Sequence, residues 1–249
     1  MTQATSTSER SDRAAESRAR ILDAALKEFS ANGLAGARTE QIAALAGVNK
    51  ALLYYYFESK ENLYLAALEM IAARVRDRTM AIFLREASAG ERFLRSVLEH
   101  FDRILTQHEF QAMLQQEMIR MHKGESGAMP LLVKRIFAPA MTMYQAIVRE
   151  GAESGELISA DWLQMQLASI GGNVFYFLSA PVWRILQDAE PFTPEAIAYR
   201  RKAVVEFLGQ AVFIDRQRGA QIAARVLADT PIPEFNLDRL PYRRKDERA

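Results

Sequence analysis

The stretch Thr39–Leu63, TEQIAALAGVNKALLYYYFESKENL, constrains the fold of this chain more than any other part of it. Thr39 can cap a short helix, and Gly47 supplies a left-handed position at which that helix can stop. Asn49 is a good cap for a second short helix, and Ser59 is a good cap for a third. Two short helices set at an angle by a glycine turn are typical of helix-turn-helix proteins that bind DNA.

The second of these helices carries most of the candidate DNA contacts. Its first turn, which approaches base edges in this motif, consists of Lys50, Ala51 and Leu52. The three consecutive tyrosines that follow are spread about 100° apart by helical geometry, so they cannot all be buried in one core. At least one tyrosine hydroxyl is therefore expected to face solvent or a phosphate, while Leu53 and Phe57 are expected to point into the core.

The order of residues in this stretch resembles the DNA-binding signature of the tetracycline-repressor (TetR) family. The residues that carry the resemblance are Thr39, Ile42, Ala43, Ala46, Gly47, Val48, Lys50, Leu53, Tyr54, Tyr56, Phe57, Lys60 and Leu63. Upstream, Ile21 to Ala25, Phe29 and Gly33 resemble the family's first helix, which extends the resemblance over residues 17–65. The resemblance implies an all-α protein. Its N-terminal three-helix, helix-turn-helix domain would be followed by a C-terminal helical domain for ligand binding and dimerisation.

The resemblance also suggests roles for individual residues. Tyr54 and Tyr56 would contact phosphates and Lys60 would contact DNA, whereas packing between helices remains the alternative for the tyrosines, above all for Tyr55. Asn49 stands where the family more often has Ser. Ala51 and Leu52 stand where it often has Gly or Pro followed by Thr, Asn or Ser, so the operator sequence is left open. With these apolar residues, contact with thymine methyl groups and phosphate anchoring should outweigh bidentate base recognition. The predicted DNA-binding residues are Thr39, Asn49, Lys50, Ala51, Leu52, Tyr54, Tyr55, Tyr56 and Lys60.

Apolar residues recur at three- and four-residue spacing through the rest of the chain, and no segment alternates with a period of two over a useful length. This pattern also predicts an all-α fold. Pro139 is expected to kink or break a helix, and Pro181 to end one. The predicted regions are a disordered arm over residues 1–14, the helix-turn-helix domain over 15–62, a ligand-binding and dimerisation domain over 63–214 and a C-terminal extension over 215–249.

Glu117 is the most unusual residue outside the motif, because it interrupts an apolar, methionine-rich helical face. Its carboxylate could pair with a cationic ligand, or it could form a structural salt bridge with a neighbouring arginine, which is the interpretation we favour. Aromatic residues farther along the chain could line a pocket or fill a dimer interface. The candidate ligand pocket consists of Phe101, Met113, Glu117, Met118, Met121, Tyr144, Trp162, Asn173 and Phe177.

Composition narrows the possible functions. The 249 residues include no cysteine and only three dispersed histidines, which argues against disulfides and against a metal-ligand cluster. Catalytic motifs, phosphate-binding loops and dinucleotide fingerprints do not occur, so we expect neither an enzyme nor a cofactor. The polar N-terminus and the lack of a long apolar run predict a cytoplasmic protein with no membrane segment. Because the formal net charge is +1, attraction to DNA must come from local placement of cations.

Together these features predict a homodimeric transcriptional regulator that responds to a small-molecule effector. We expect a repressor that binds a palindromic, double-stranded DNA operator and is released from it when the effector binds. The alternative is a constitutive DNA-binding regulator or an architectural factor with no small-molecule ligand.

Overall fold

The fold is all-α, as the sequence predicts. A computed structural model of the chain describes residues 2–125, 127–187 and 190–236, and these residues form no strand. The helices are α1 (Thr2–Gly36), α2 (Thr39–Ala46), α3 (Lys50–Phe57), α4 (Lys60–Phe83), α5 (Ala89–Thr106), α6 (His108–His122), α7 (Met129–Leu132), α8 (Ala138–Glu153), α9 (Trp162–Gln187), α10 (Pro194–Ala211) and α11 (Arg216–Asp229). None of the described helices is long and apolar enough to cross a membrane.

Helix α1 begins earlier than expected. Its backbone is helical from Thr2, so the prediction of a disordered arm is wrong for residues 2–14. No glycine or proline lies between Thr2 and Asn32, and extending an existing helix adds a hydrogen bond for each residue that is fixed. At the predicted end of the helix, Gly33 leaves the helical conformation with a φ of 67°, and one more helical turn follows this kink before α1 ends at Gly36.

The chain forms two compact units whose boundaries differ from the predicted domains. The first unit comprises the residues up to Val75 together with Glu109–Lys134, and the second comprises Arg76–His108 together with the residues from Arg135 onwards. The first two thirds of α4, up to Val75, and all but the first residue of α6 thus belong with the helix-turn-helix. The α6 side chains Phe110 and Met113 are buried there.

Proline has different effects in the two long helical segments of the second unit. At Pro139 the predicted break is confirmed, since a π-helical turn, Val133–Phe137, precedes α8 and places the proline in the first turn of the new helix. At Pro181 the prediction is wrong, because α9 continues through it to Gln187. Side-chain bonds cross this part of the helix: Ser179 Oγ donates to the Phe175 carbonyl at 2.6 Å and accepts from Trp183 Nε1 at 2.8 Å.

The C-terminal extension contributes to the core of the second unit. The apolar face of α11, formed by Ile222, Ala223 and Val226, is buried in the same cluster as residues of α5, α8 and α10. Arg95 of α5 also donates to Asp229 Oδ2 at the end of α11, at 2.9 Å. The part of the predicted extension from residue 237 onwards lies outside the described residues.

Candidate nucleic-acid interface

The turn between α2 and α3 has the predicted local geometry. Gly47 adopts the left-handed conformation with a φ of 65°, and its N–H and that of Val48 donate to carbonyls in the last turns of α2. Asn49 caps α3, because its Oδ1 accepts the backbone N–H of Leu52 at 2.7 Å. Ser59 caps α4 in the same way, through the N–H of Asn62 at 3.0 Å. Three of the four predicted features of the motif are therefore confirmed.

Thr39 is the exception. The N-cap of α2 is Arg38, whose extended backbone carbonyl accepts the N–H of Ile42, and no side chain caps the helix. Thr39 is the first helical residue and is buried, with its Oγ1 3.4 Å from the hydroxyl of Tyr54. The prediction that Thr39 caps α2 is therefore wrong. Its hydroxyl instead contacts the recognition helix α3.

Helix α3 divides its side chains between the core and an outer face. Leu53 and Phe57 are buried, as predicted, whereas Tyr55 is 79% exposed and Tyr54 is 36% exposed. Tyr56 is half-buried with its ring centroid 5.4 Å from that of Tyr55. The expectation that the tyrosines cannot all be buried is confirmed. The outer face presents two aromatic rings beside Ala51 and Lys50.

Lys50, the single charged residue of α3, has an internal partner. Its Nζ forms a salt bridge and hydrogen bond with Glu40 of α2, and it lies 5.8 Å from the centre of the Tyr54 ring. The hydrogen bond from Lys50 lowers the pKa of Glu40, and the same bond raises the pKa of Lys50. The pair is exposed, so a phosphate could replace the carboxylate as the partner of the ammonium group.

Lys60 has a role that the sequence did not reveal. Its ammonium group donates to the carbonyls of Ala35 and Ala37, at 3.1 and 3.0 Å. Ala35 lies in the last turn of α1 and Ala37 in the connection to α2, so Lys60 holds both against the start of α4. The partial negative charges of the carbonyls account for a cation in the first turn of a helix. Contact of Lys60 with DNA stays a prediction.

Two exposed residues of this surface were missed by the sequence reasoning. Arg38 lies immediately before α2, with its side chain exposed, and its backbone N–H donates to Glu28 Oε1 at 3.0 Å. Leu45 of α2 is 61% exposed, which is unusual for a leucine. Arg38 could have been found from its position directly before the helix-turn-helix. Leu45 could have been found because it lies outside the apolar face that Ile42, Ala43 and Ala46 form.

The nine predicted ligand-pocket residues fall in different units. Met113, Glu117, Met118 and Met121 belong to the first unit, and Phe101, Tyr144, Trp162, Asn173 and Phe177 belong to the second. Met118 and Met121 are 46% and 58% exposed, so the buried face of α6 is narrower than its apolar pattern suggested. No single unit contains the whole predicted set.

Glu117 forms a buried cluster with two polar partners. Its Oε1 accepts hydrogen bonds from the Tyr64 hydroxyl at 2.9 Å and from Arg120 Nη1 at 2.5 Å, and the glutamate is completely buried. Burial and the bond to Glu117 raise the pKa of Tyr64. The favoured structural salt bridge is confirmed. The alternative, in which Glu117 pairs with a cationic ligand, stays a prediction, and any such ligand would meet a carboxylate whose charge Arg120 already compensates.

The five residues in the second unit lie in packed surroundings. Phe101 and Phe177 belong to one aromatic cluster, with ring centroids 5.2 Å apart, and Tyr144 lies in the main core beside Phe93. Trp162 is partly buried at the edge of that core. Asn173 is buried and donates to the Val97 carbonyl at 3.0 Å. Their role in ligand binding stays a prediction. Among the described residues, no group of His, Cys, Asp or Glu is placed to hold a metal ion.

Comparison with known proteins agrees with this surface. The family described as bacterial regulatory proteins, tetR family, matches residues 21–67. The HTH-type transcriptional repressor NicS of Pseudomonas putida is 31% identical over 146 residues, which are 59% of this chain and 68% of NicS. The HTH-type transcriptional regulator RutR of Escherichia coli strain K12 is 61% identical over 51 residues, which are 20% of this chain and 24% of RutR.

A solved structure resembles the chain over most of its length. The crystal structure of a gamma-butyrolactone receptor, an ArpA-like protein, has a TM-score of 0.59 at 18% identity and covers 88% of this chain and 99% of the receptor chain. At this identity the likeness shows the fold alone. The similar proteins are transcriptional regulators and not enzymes. Given the match of the motif and the similarity to NicS over 68% of its length, the chain belongs to the TetR family of DNA-binding transcriptional regulators.

Proposed function

We propose that this protein is a homodimeric repressor that binds a palindromic operator through α3 and releases it when a small molecule binds. The observation that carries the proposal is the outer face of α3, where Lys50, Ala51, Tyr54 and Tyr55 are exposed on a helix held by Asn49 and by the contact between Thr39 and Tyr54. The similarity to NicS, a repressor, supports the direction of regulation.

On DNA, the residues of α3 would divide into two roles. Ala51 and Leu52, at the start of the helix, would meet base edges and thymine methyl groups. Tyr54 and Tyr56, with Thr39 and the N-terminus of α2, would position the helix on phosphates. Lys50 would exchange Glu40 for a phosphate, and the exposed Arg38 would add a second cation beside α2.

The exposed apolar faces of α9 and α10 support the dimer. Leu167, Phe175, Leu178 and Val182 form a helical stripe on α9 and are between 47% and 63% exposed. Phe207 of α10 is 68% exposed. Monomeric proteins rarely expose contiguous apolar surface of this kind, and a two-fold dimer would bury it. The same symmetry would present two copies of α3 to half-sites about 34 Å apart.

Release by a small molecule would be a shift between dimer states with different spacings of the recognition helices. A solved structure with the same fold is that of a gamma-butyrolactone receptor, which supports a ligand-responsive class. Within the first unit, Glu117 and Gln116 of α6 form hydrogen bonds with Tyr64 of α4 and the Ser30 carbonyl of α1. A movement of α6 would therefore be transmitted to the helices that support α3.

The ion pair of Lys50 and Glu40 provides a test of the DNA interface. We expect Lys50→Gln to weaken binding to the DNA upstream of the protein's own gene and to reduce the slope of log affinity against log salt by about 1. Glu40→Gln should strengthen binding, because it releases the lysine for phosphate. Fluorescence anisotropy titrations over a range of salt concentrations measure both effects.

The two substitutions break the same internal bond, so a mere loss of folding stability would shift both affinities in the same direction. Opposite shifts therefore support the proposed contact. Equal affinities for the wild type and both variants would contradict it. An operator affinity that does not change with any member of a broad metabolite panel would favour a constitutive regulator instead.

A further inference from the structure

The second unit contains a pocket that includes none of the residues predicted for ligand binding. Its volume is about 370 Å³, and it lies between the end of α4, one face of α5 and the segment that follows α11. Small-molecule sites commonly begin at about 300 Å³, so the pocket can hold a compact organic molecule.

The charges on the α5 side of the pocket are compensated internally. Arg103 pairs with Glu99 at 3.4 Å, and Asp102 accepts two hydrogen bonds from Arg201, at 2.8 and 2.9 Å. Arg95 pairs with Glu91 at 2.8 Å and with Asp229. These pairs make the floor of the pocket polar without giving it an excess of negative charge.

The α4 side adds two positive charges. Arg78 and Arg85 both line the pocket and are exposed to solvent, and among the described residues neither has an acidic side chain within 4.0 Å. Burial raises the pKa of Glu99, and the charges of Arg103 and Arg78 oppose that rise. The charge of Arg78 thus favours the ionised form of Glu99 from a longer distance, and its guanidinium group remains able to donate hydrogen bonds to a bound anion.

Apolar surface lies between these arginines and the opposite wall. Ala81 and Ile82 of α4 lie between Arg78 of the same helix and Arg85, which follows the end of the helix, and Pro231 and Pro233 face them from the C-terminal segment. A guanidinium group matches the two oxygens of a carboxylate, and the apolar residues would cover a hydrocarbon body. We propose that this pocket binds a small organic carboxylate, with the carboxylate group at Arg78 and Arg85.

Thr230, Pro231 and Pro233 of the C-terminal extension form one wall of the pocket, which gives the extension a role in the proposed site. Arg201 Nη2 donates to the Thr230 carbonyl at 2.8 Å and to the Pro231 carbonyl at 3.3 Å. Arg95 Nη1 donates to Thr230 Oγ1 at 3.3 Å. Arg201, which compensates Asp102 in the floor, and Arg95, which lines the pocket, therefore also fix the wall that closes it.

Binding of the carboxylate is independent of the proposed repressor function, whereas its use as the effector rests on that function. The binding test is calorimetric titration of the full-length protein without DNA, using benzoate and hexanoate as probes. Benzamide and hexanamide serve as uncharged controls of the same shape, and inorganic phosphate as an anion without an apolar body. We expect the two carboxylates to bind at millimolar concentration or below, and the amides and phosphate to bind at least about tenfold more weakly.

Variants locate the binding. Arg78→Gln combined with Arg85→Gln should weaken benzoate binding at least about tenfold, since two charge-assisted bonds are lost. Ala81→Trp keeps every charge but fills the space, and it should abolish binding. Arg76→Gln, at a half-buried arginine of α4 that pairs with Asp77 and does not line the pocket, should leave binding unchanged.

Three results would overturn the proposal: neither carboxylate binds, benzamide binds as well as benzoate, or the double arginine variant binds benzoate as the wild type does. Phosphate binding without carboxylate binding would overturn the assigned ligand class. A separate anisotropy titration with operator DNA then asks whether benzoate weakens DNA binding. If benzoate binds to the protein but does not weaken DNA binding, the pocket is a carboxylate site but not the effector site.

Discussion

Buried polar side chains of the second unit make its stability depend on pH. His100 of α5 is buried, with its Nδ1 3.4 Å from Asn173 Nδ2. Burial, and to a smaller extent the charge of Arg103, lower the pKa of His100 well below the ordinary value of 6.5. The folded protein therefore keeps this histidine neutral at pH values at which the unfolded chain already protonates it.

We predict that the free energy of unfolding falls as the pH decreases below 6.5, because the unfolded state then binds a proton that the folded state does not. The slope contributed by His100 would reach at most about 1.4 kcal/mol per pH unit. His100→Gln should reduce this slope, whereas His122→Gln, at an exposed position, should not. Urea unfolding of the three proteins at neutral pH and at about pH 5.5 measures the difference. Identical slopes for the wild type and His100→Gln would contradict the prediction.

Residues whose role depends on their sequence neighbours were predictable. Asn49 and Gly47 act within a few residues of themselves, so their chemistry is sufficient to assign them. Lys60 binds carbonyls more than 20 positions away, and Thr39 contacts Tyr54 on the next helix. Such long-range partners are determined by packing, which a single sequence does not display.

Helices α10 and α11 approach each other so closely where they cross that both backbones require glycine there. A Cβ atom at Gly219 would lie 1.9 Å from the Gly209 carbonyl oxygen, and one at Gly209 would lie 2.8 Å from the Gly219 carbonyl oxygen. Both clashes involve backbone atoms, which cannot rotate away as a side chain can. These two glycines allow α11 to pack on α10 and to place the segment from Thr230 to Pro233.

We predict that Gly219→Ala lowers the free energy of unfolding by about 2–3 kcal/mol, despite the higher helix propensity of alanine. Gln221→Ala, at an exposed position of the same helix, should change it by less than about 0.5 kcal/mol. Urea unfolding followed by circular dichroism checks both values. A Gly219→Ala protein as stable as the wild type would show that α11 does not pack closely on α10.

The elements show how far local rules extend. At Pro139 the chain breaks the helix as the rule for proline predicts, whereas at Pro181 it does not. An interior proline costs about 3 kcal/mol, and burial of Phe177 and Ala180 on the same helix can offset that cost. These buried residues precede Pro181, whereas Val182, Ile185 and Leu186 after it are exposed. The continuation of α9 through Pro181 therefore depends on the packing of the turns before the proline, which is a property of the folded unit.

At the scale of the whole molecule, the DNA-binding unit could be inferred from the sequence because its signature is continuous along the chain. The predicted ligand-pocket residues have no such continuous signature, since the set was assembled from positions on α5, α6, α8 and α9, and its role in ligand binding stays a prediction. The structure assigns α6 to the first unit, and it shows that Glu117 already has internal partners. The pocket beside Arg78 depends on charges distributed over α4, α5 and the segment after α11, which no local pattern connects.

The glycine pair of α9 provides a test of the assembly. A Cβ atom at Gly171 would meet nothing within 4 Å, apart from its own helix and chain neighbours, so nothing described in the single chain requires glycine at this position. Gly171 lies on the same face as Leu167 and Phe175, one helical turn from each. If a second copy packs on this face, the glycine would permit close approach of the two backbones, and a larger side chain would prevent it.

We therefore predict that Gly171→Leu and Phe175→Glu both shift the protein from dimer to monomer, the first by bulk and the second by placing a charge in an apolar interface. Analytical ultracentrifugation over a concentration series measures the shift, and operator affinity should fall with it because two linked half-sites bind far more tightly than one. Ala220→Leu, which adds the same side chain to an exposed position of α11, should leave the dimer intact. Dimers that persist in both α9 variants would place the interface on another surface. Loss of the dimer together with loss of helical circular dichroism would show that the variants damage the fold, so the helical signal must be shown to be unchanged before the shift is attributed to the interface.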